Sequence, residues 1–421
     1  MCRNTNLLPH CSRLPGLTWA LILLTLLYGS AALAEFRHGP ISLSAFGTLG
    51  GAWSSNREAD YTLGIQPSGP GRSYDFDLGM DSRLGAQMDI GLSRTTTLTA
   101  QAVVDRNAYD RFLPRLTLGQ LRQEFFDHFS LRAGRMQNPM FLAAEYRLAN
   151  FANPWVRTPN VLYDAYPMVS LDGAELSYRR GTPMGTISLR SGYGWFDFDV
   201  PISIPRGRGY YTVRGSSRNL HFVTAQLEQG PWRIKAGWVR GYTDLVEPGM
   251  MRALSFLRAL GDSRAAERLT ILDKPGQMFT VGAAYDGPDW LFMGEWACIL
   301  SPGSLTNRHL GYVTLGHHFG QFMPQVTLGY ADSFAPDVRG ANPFSQAVLD
   351  AMYRGASQDQ WVAAVGLNYS VTDSVVLRSQ LDLIQPQNHS NGPYSMNQTD
   401  RYNAARPSLD YLFSVSLDFV Y

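Results

Sequence analysis

The chain has 421 residues, with 36 Lys and Arg against 35 Asp and Glu, a formal net charge of +1. A chain so evenly charged has no basic field to draw nucleic acid, which excludes that class of partner. No helix-length apolar run occurs after residue 34, so a membrane-embedded form must be a closed β-barrel, which satisfies every backbone group in lipid.

The first 34 residues read as an export signal. Arg3 and Arg13 give a basic start, Leu17 to Leu27 (LTWALILLTLL) an apolar centre, and Ala32-Leu33-Ala34 a small-residue cleavage site. The apolar run is too short for a spanning helix. The mature chain is then residues 35–421. Cleavage removes Cys2 and Cys11 and leaves only Cys298, so no internal disulfide is expected. The mature cations are all arginines except Lys235 and Lys274. A guanidinium keeps its charge and its planar fork of donors when partly buried, which suits a crowded polar interior.

In chain order, Ile41, Leu43, Ala45, Leu49 and Trp53 share one face of a first strand. Strand pairs follow at about 82–92 with 95–105, 116–126 with 129–136, 169–179 with 185–196, and 217–229 with 231–242. Others are read at 277–286 with 289–300, 307–318 with 321–333, and 359–370 with 374–385. Their tight connections contain turn residues, as at Asp286-Gly287-Pro288-Asp289. The last strand alternates without a break through Tyr411, Phe413, Val415, Leu417, Phe419 and Tyr421. An aromatic C-terminus on such a strand resembles the signal read by the outer-membrane barrel assembly machinery. Trp232 with Trp238, Trp290 with Trp296, and Trp361 with Tyr369 share faces suited to the membrane interface.

The remaining connections are long: 54–81, 106–115, 137–168, 197–216, 243–276, 301–306, 334–358 and 386–407. Residues 251–272 and 344–353 carry some helical spacing within them. Short turns at one end and long loops at the other are the pattern of an outer-membrane barrel. The fold class is all-β: a transmembrane antiparallel barrel of about sixteen strands, with fourteen or eighteen also compatible with the spacing. Short turns and both termini are expected toward the periplasm.

A charge facing lipid near the midplane costs roughly 2–4 kcal/mol, so polar positions in alternating strands should face the lumen. This assigns Arg122, Glu124, Arg132, Arg190, Arg233, Lys235, Arg378 and Asp382 to the wall. Arg132 and Arg135 cannot both be luminal on a regular strand, so either a bulge near Gly134 or a position of Arg135 beyond the bilayer is expected.

The loop after that strand runs from Asn138-Pro139-Met140 through Pro154-Trp155-Val156-Arg157 to Tyr166-Pro167-Met168. With the leader, the strand count, the segment Leu131 to Ser177 and the aromatic last strand, it resembles the Gram-negative porin family, especially the phosphate-selective-porin-like branch. The resemblance implies that 137–168, the third long loop, folds into the barrel and narrows the pore. Glu145, Arg147, Arg157 and Asp164 would then sit at the constriction, with Glu145 and Asp164 opposing wall arginines. It further implies a homotrimer in lipid and lipopolysaccharide that passes small hydrophilic solutes. The scarce lysines depart from the dense basic arrays of phosphate-selective members.

Two other classes remain open. A barrel-embedded hydrolase needs a nucleophile beside a histidine; His38, His128, His221, His309, His317, His318 and His389 occur without a nucleophile elbow. A structural or adhesion barrel would use the long loops. No residue is assigned to catalysis, to a cofactor or to a metal.

Overall fold

The computed structural model describes residues 36–421 except 166, 167, 205, 206, 208, 302, 304, 335–337 and 406. The leader assigned to 1–34 lies outside the described residues. A three-residue strand, β1 (Phe36–His38), precedes sixteen barrel strands. These are β2 (Ile41–Ser54), β3 (Arg83–Gly91), β4 (Thr96–Arg106), β5 (Phe112–Phe125), β6 (Phe129–Gln137), β7 (Ser170–Thr182), β8 (Gly185–Ser203) and β9 (Tyr210–Gln229). The second half comprises β10 (Trp232–Leu245), β11 (Lys274–Asp286), β12 (Trp290–Leu300), β13 (Asn307–His317), β14 (Phe322–Phe334), β15 (Gln360–Thr372), β16 (Val375–Pro386) and β17 (Asp410–Val420). Each pairs antiparallel with its chain neighbours, and β17 closes the barrel on β2 from Leu412↔Ser54 to Val420↔Phe46. Where β17 ends, β1 takes over the edge of β2 through His38↔Ile41. Three residues are too few for an alternation, so β1 has no sequence signal.

The alternation resolves into two faces. In β17, Leu412, Ser414, Ser416 and Asp418 are buried inward while Tyr411 and Phe413 face out. Trp232, Trp290, Trp296, Trp361, Val365 and Leu367 are likewise exposed on the outside. An outer surface this apolar, around a partly polar interior, is built for lipid and not for water.

Three expectations are corrected. Residues 197–216 are mostly not loop: β8 and β9 stay paired from Asp197↔Ser216 to Ser203↔Tyr210. Phe198, Val200 and Ile202 still alternate there, but they face inward and the intervening outward positions Asp197, Asp199 and Ser203 are polar. Likewise, β4 and β5 shorten the 106–115 connection to 107–111. The bulge expected near Gly134 is absent. Residues 129–137 of β6 keep a regular register against β7, without a bulge. The irregularity falls instead between Gln101 and Ala102, opposite Thr117. Arg135 is outward and forms an ion pair with its cross-strand partner Asp172, Nη2 to Oδ2 at 2.7 Å.

The long-loop end carries α2 (Pro248–Ala259), α3 (Ser263–Leu269) and α4 (Pro343–Ala356), after the short η1 (Asn150–Ala152) and α1 (Asn160–Tyr163) in the third loop. Leu254, Leu257, Leu269 and Leu349 bury a small core among α2, α3 and α4. Each of the three has a capping side chain at its start (Glu247, Asp262 and Asn342) satisfying otherwise orphaned N–H groups.

Candidate functional site: the inward loop and its two cavities

The loop 137–168 lies inside the barrel. Its ends are pinned together: Asn138 N donates to Val169 O at 3.0 Å, and Asn138 Nδ2 to Met168 O at 3.0 Å. From there Met140, Phe141, Leu142, Ala143 and Ala144 run against apolar inward residues of β9–β13, among them Phe222, Val239, Met278, Met293 and Leu310. Val161, Leu162 and Tyr163 join the same cluster. Wall glycines admit the loop: a Cβ on Gly237 would lie 2.8 Å from Met140 Cε, and one on Gly329 would lie 2.9 Å from Val161 Cγ2. The lumen wall on β9–β13 is therefore apolar because it is a packing surface.

Polar tethers fix the loop's register. Glu295, buried on β12, accepts from Leu142 N at 2.7 Å, from Tyr312 OH at 2.8 Å and from Tyr163 OH. Lys235 donates to Phe141 O at 3.0 Å. Trp155 Nε1 donates to Thr314 Oγ1 at 2.9 Å, and Asn368 Nδ2 donates to Pro154 O at 2.7 Å. Arg378 reaches Phe151 O at 3.0 Å and pairs with Asp418.

Arg157 is the deepest charged tether. Its Nη2 lies 2.7 Å from Asp81 and its Nη1 3.2 Å from Asp382, with a further bond to Ser414 Oγ at 2.6 Å. Its side chain is 5% exposed and that of Asp81 0%, so both charges depend on each other. Burial alone would lower the guanidinium's pKa, but the Asp81 carboxylate holds it above its ordinary value.

Glu145 and Arg147 border cavities on opposite sides of the loop. Toward the short turns lies a cavity of ≈ 660 Å³ bordered by Glu145 with Arg122, Arg132, Arg190, Arg233 and Lys235. Glu145 takes Arg190 in a two-pronged pair at 2.8 and 3.0 Å, and Arg132 bonds Glu175 at 2.6 Å. Arg122 pairs with Glu124 at 2.9 Å near the turns. Toward the long loops lies a cavity of ≈ 100 Å³ bordered by Arg147, Asp164, Arg83, Asp105, Arg115 and Arg157. Arg147 pairs with Asp164 at 3.2 Å within the same loop, so Asp164 does not face a wall arginine as its ion-pair partner. Burial pushes the Asp164 carboxyl up from its ordinary value, against the pull of Arg147, Arg157 and Arg83. Leu148, which also lines this smaller cavity, packs on Phe46 and Val103 of the wall.

The sequence-assigned wall residues Arg190, Arg233, Lys235, Arg378 and Asp382 all reach the loop, directly or through a partner. Sequence reading passed over Asp81, Arg83, Asp105, Arg115, Glu295 and Asp418. Arg83 lay in an expected strand with a readable polar alternation, Arg83, Gly85, Gln87 and Asp89. Arg115 lay in an expected loop. Three histidines sit against outward rings: His221 on Tyr193, His309 on Trp296 and His317 on Trp290. Among the described residues no group of three His, Cys, Asp or Glu is placed to hold a metal ion.

The closed sixteen-strand barrel with a loop inside it is a porin-like fold. Solved structures share that fold at low identity. They include OmpF of Salmonella typhi in complex with daunomycin (12% identity, TM-score 0.52, covering 92% of this chain and 100% of that one). An anion-selective porin from Comamonas acidovorans matches at 11% identity and TM-score 0.51, over 90% of this chain and 100% of its own. Outer-membrane expressed OmpT of Vibrio cholerae matches at 10% identity and TM-score 0.51, over 92% and 100%. No protein-family model matches the chain, and no curated protein matches it by sequence.

Proposed function

We propose that this chain is a bacterial outer-membrane porin that passes small hydrophilic solutes or ions by passive diffusion, with loop 137–168 as its constriction. The observation that carries this reading is the loop inside the barrel with polar cavities on both of its sides. The apolar outer belt supports a lipid and lipopolysaccharide environment. The aromatic last strand supports recognition by the barrel assembly machinery. Short turns and termini then lie toward the periplasm, and the porin resemblance suggests a homotrimer. Glu145, Arg147, Arg157 and Asp164 hold the constriction; phosphate specificity has no support in the residues.

Charge sets the preference among solutes. In the long-loop cavity Arg115 pairs with Asp105 at 2.6 Å and Arg147 with Asp164, while Arg157 is matched by Asp81. Arg83 makes no ion pair among the described residues: its hydrogen bonds go to the carbonyls of Asp81 and Arg147 at 3.5 Å, and its cross-strand partner Asp105 acts on it at longer range. A guanidinium without an ion-pair contact in a narrow polar passage favours anions. Planar-bilayer recording in a salt gradient is expected to show discrete channels with an anion-side reversal potential. Arg83→Gln is expected to move that potential toward cations. A protein that inserts and gives no channels overturns the porin reading and favours a barrel acting through its helical long-loop end.

Acidification gives a second test. Because its pKa is raised, Asp164 loses its charge at a higher pH than an exposed aspartate of about 3.9. By linkage, this group's contribution to stability falls as pH rises through its folded-state pKa. As pH falls through that value the carboxylate is neutralised while Arg147 and Arg83 stay charged, so anion preference increases. Asp164→Asn is expected to show the increased preference already at neutral pH and to flatten the pH response. An unchanged pH response in that variant would remove Asp164 from the pathway.

A further inference from the structure

The apolar wall on which the inward loop packs also borders open space. At the long-loop end a separate cavity of ≈ 290 Å³ is lined by Phe198, Leu220, Val239, Met278 and Ile299, from five consecutive strands β8–β12. Inward residues at the mouth of a water-filled barrel are ordinarily polar. Leu220, Val239, Met278 and Ile299 also belong to the core that holds Met140, Phe141 and Leu162, and Phe198 packs against it, so the chamber lies beside the packed loop.

Arg308, inward on β13, lines the same cavity. Of its five donors, Nη1 reaches Gln358 Oε1 at 2.8 Å, while Nε is enclosed with no hydrogen-bond partner. It forms no ion pair among the described residues. Asp359, the carboxylate acting on it, already accepts from Ser333 N at 2.7 Å and Asn388 Nδ2 at 3.1 Å. Asp164 also borders the cavity but is taken by Arg147. An apolar chamber with one under-used guanidinium matches a ligand with an apolar body and a single anionic head.

We propose that this chamber binds a small amphipathic anion, its carboxylate on the free Nη donors of Arg308 and its hydrocarbon body against Val239, Met278 and Ile299. The site draws on the fold and the cavity alone and does not depend on conduction.

The test is calorimetric titration of the full barrel in lipid nanodiscs, with empty nanodiscs as reference. Hexanoate is expected to bind saturably at one site per chain. Acetate, which lacks the body, and hexan-1-ol, which lacks the charge, should each bind at least tenfold more weakly. Arg308→Gln should lose tenfold or more for hexanoate. Val239→Asn, which leaves the charge in place, should weaken hexanoate without improving acetate. Heat-modifiable gel mobility confirms that each variant is folded. No saturable hexanoate binding, or equal binding by hexan-1-ol or by either folded variant, overturns the proposal. Binding by a protein that forms no channels would sustain this site and sink only the porin reading.

Discussion

Arg157→Ala is expected to destabilise the inward loop by about 3–5 kcal/mol, because it leaves the buried carboxylates of Asp81 and Asp382 without their common cation. The wild-type arrangement satisfies three elements at once: Asp81 at the foot of β3, Asp382 on β16 and Ser414 on β17 all converge on one guanidinium. Arg157→Lys should recover only part of the loss, since an ammonium cannot make the planar two-pronged contact with Asp81. The loop itself offers the readout, because trypsin can cut after Arg147 once the segment loosens. Wild type is expected to resist and Arg157→Ala to be cleaved there while the barrel stays intact on a gel. Equal protection in the two proteins would show that the apolar contacts alone hold the loop.

Excision of residues 141–165, joined by a short Gly-Ser link, is expected to widen the pore and raise single-channel conductance severalfold. The link is feasible because Asn138 and Val169 are already within hydrogen-bond distance. The strands should persist, since β6 pairs with β7 from Phe129↔Tyr178 to Gln137↔Ser170 without using the loop. Stability should nevertheless fall. Leu220, Phe222, Val239, Met278, Met293 and Leu310 would be newly wetted, at about 1.5–3 kcal/mol each, a sum of roughly 9–18 kcal/mol that is an upper bound. A dye that fluoresces on apolar surfaces should bind the excised barrel and not the wild type. Unchanged conductance would show that the loop is not the constriction, and an unchanged unfolding midpoint would contradict its packing role.

The two variants separate what the chain announces from what folding decides. The number of strands and the outward face were legible because lipid imposes one rule on every strand: apolar side chains at alternate positions within the belt. Tyr411 and Phe413, or Trp361 and Val365, obey it as local sequence. Beyond the belt the outward positions turn polar, as at Asp197 and Asp199, so the paired residues 197–203 and 210–216 read as loop. Segment 137–168 stood out by its charged and aromatic content. Its partners did not, because Arg157 meets residues 76 and 225 positions away in the chain.

The sequence by itself determined an antiparallel barrel of about sixteen strands, since period-two patterning in lipid is a local constraint. Only the tertiary structure decided that the barrel's inward face is in part an apolar packing surface and in part a polar wall. An inward Met278 or Val239 looks the same whether it meets water, a loop or a ligand. What it meets depends on where a distant segment comes to rest. That is settled by the buried pairs of Arg157 and Glu295, whose favourable energy exists only once those segments have met.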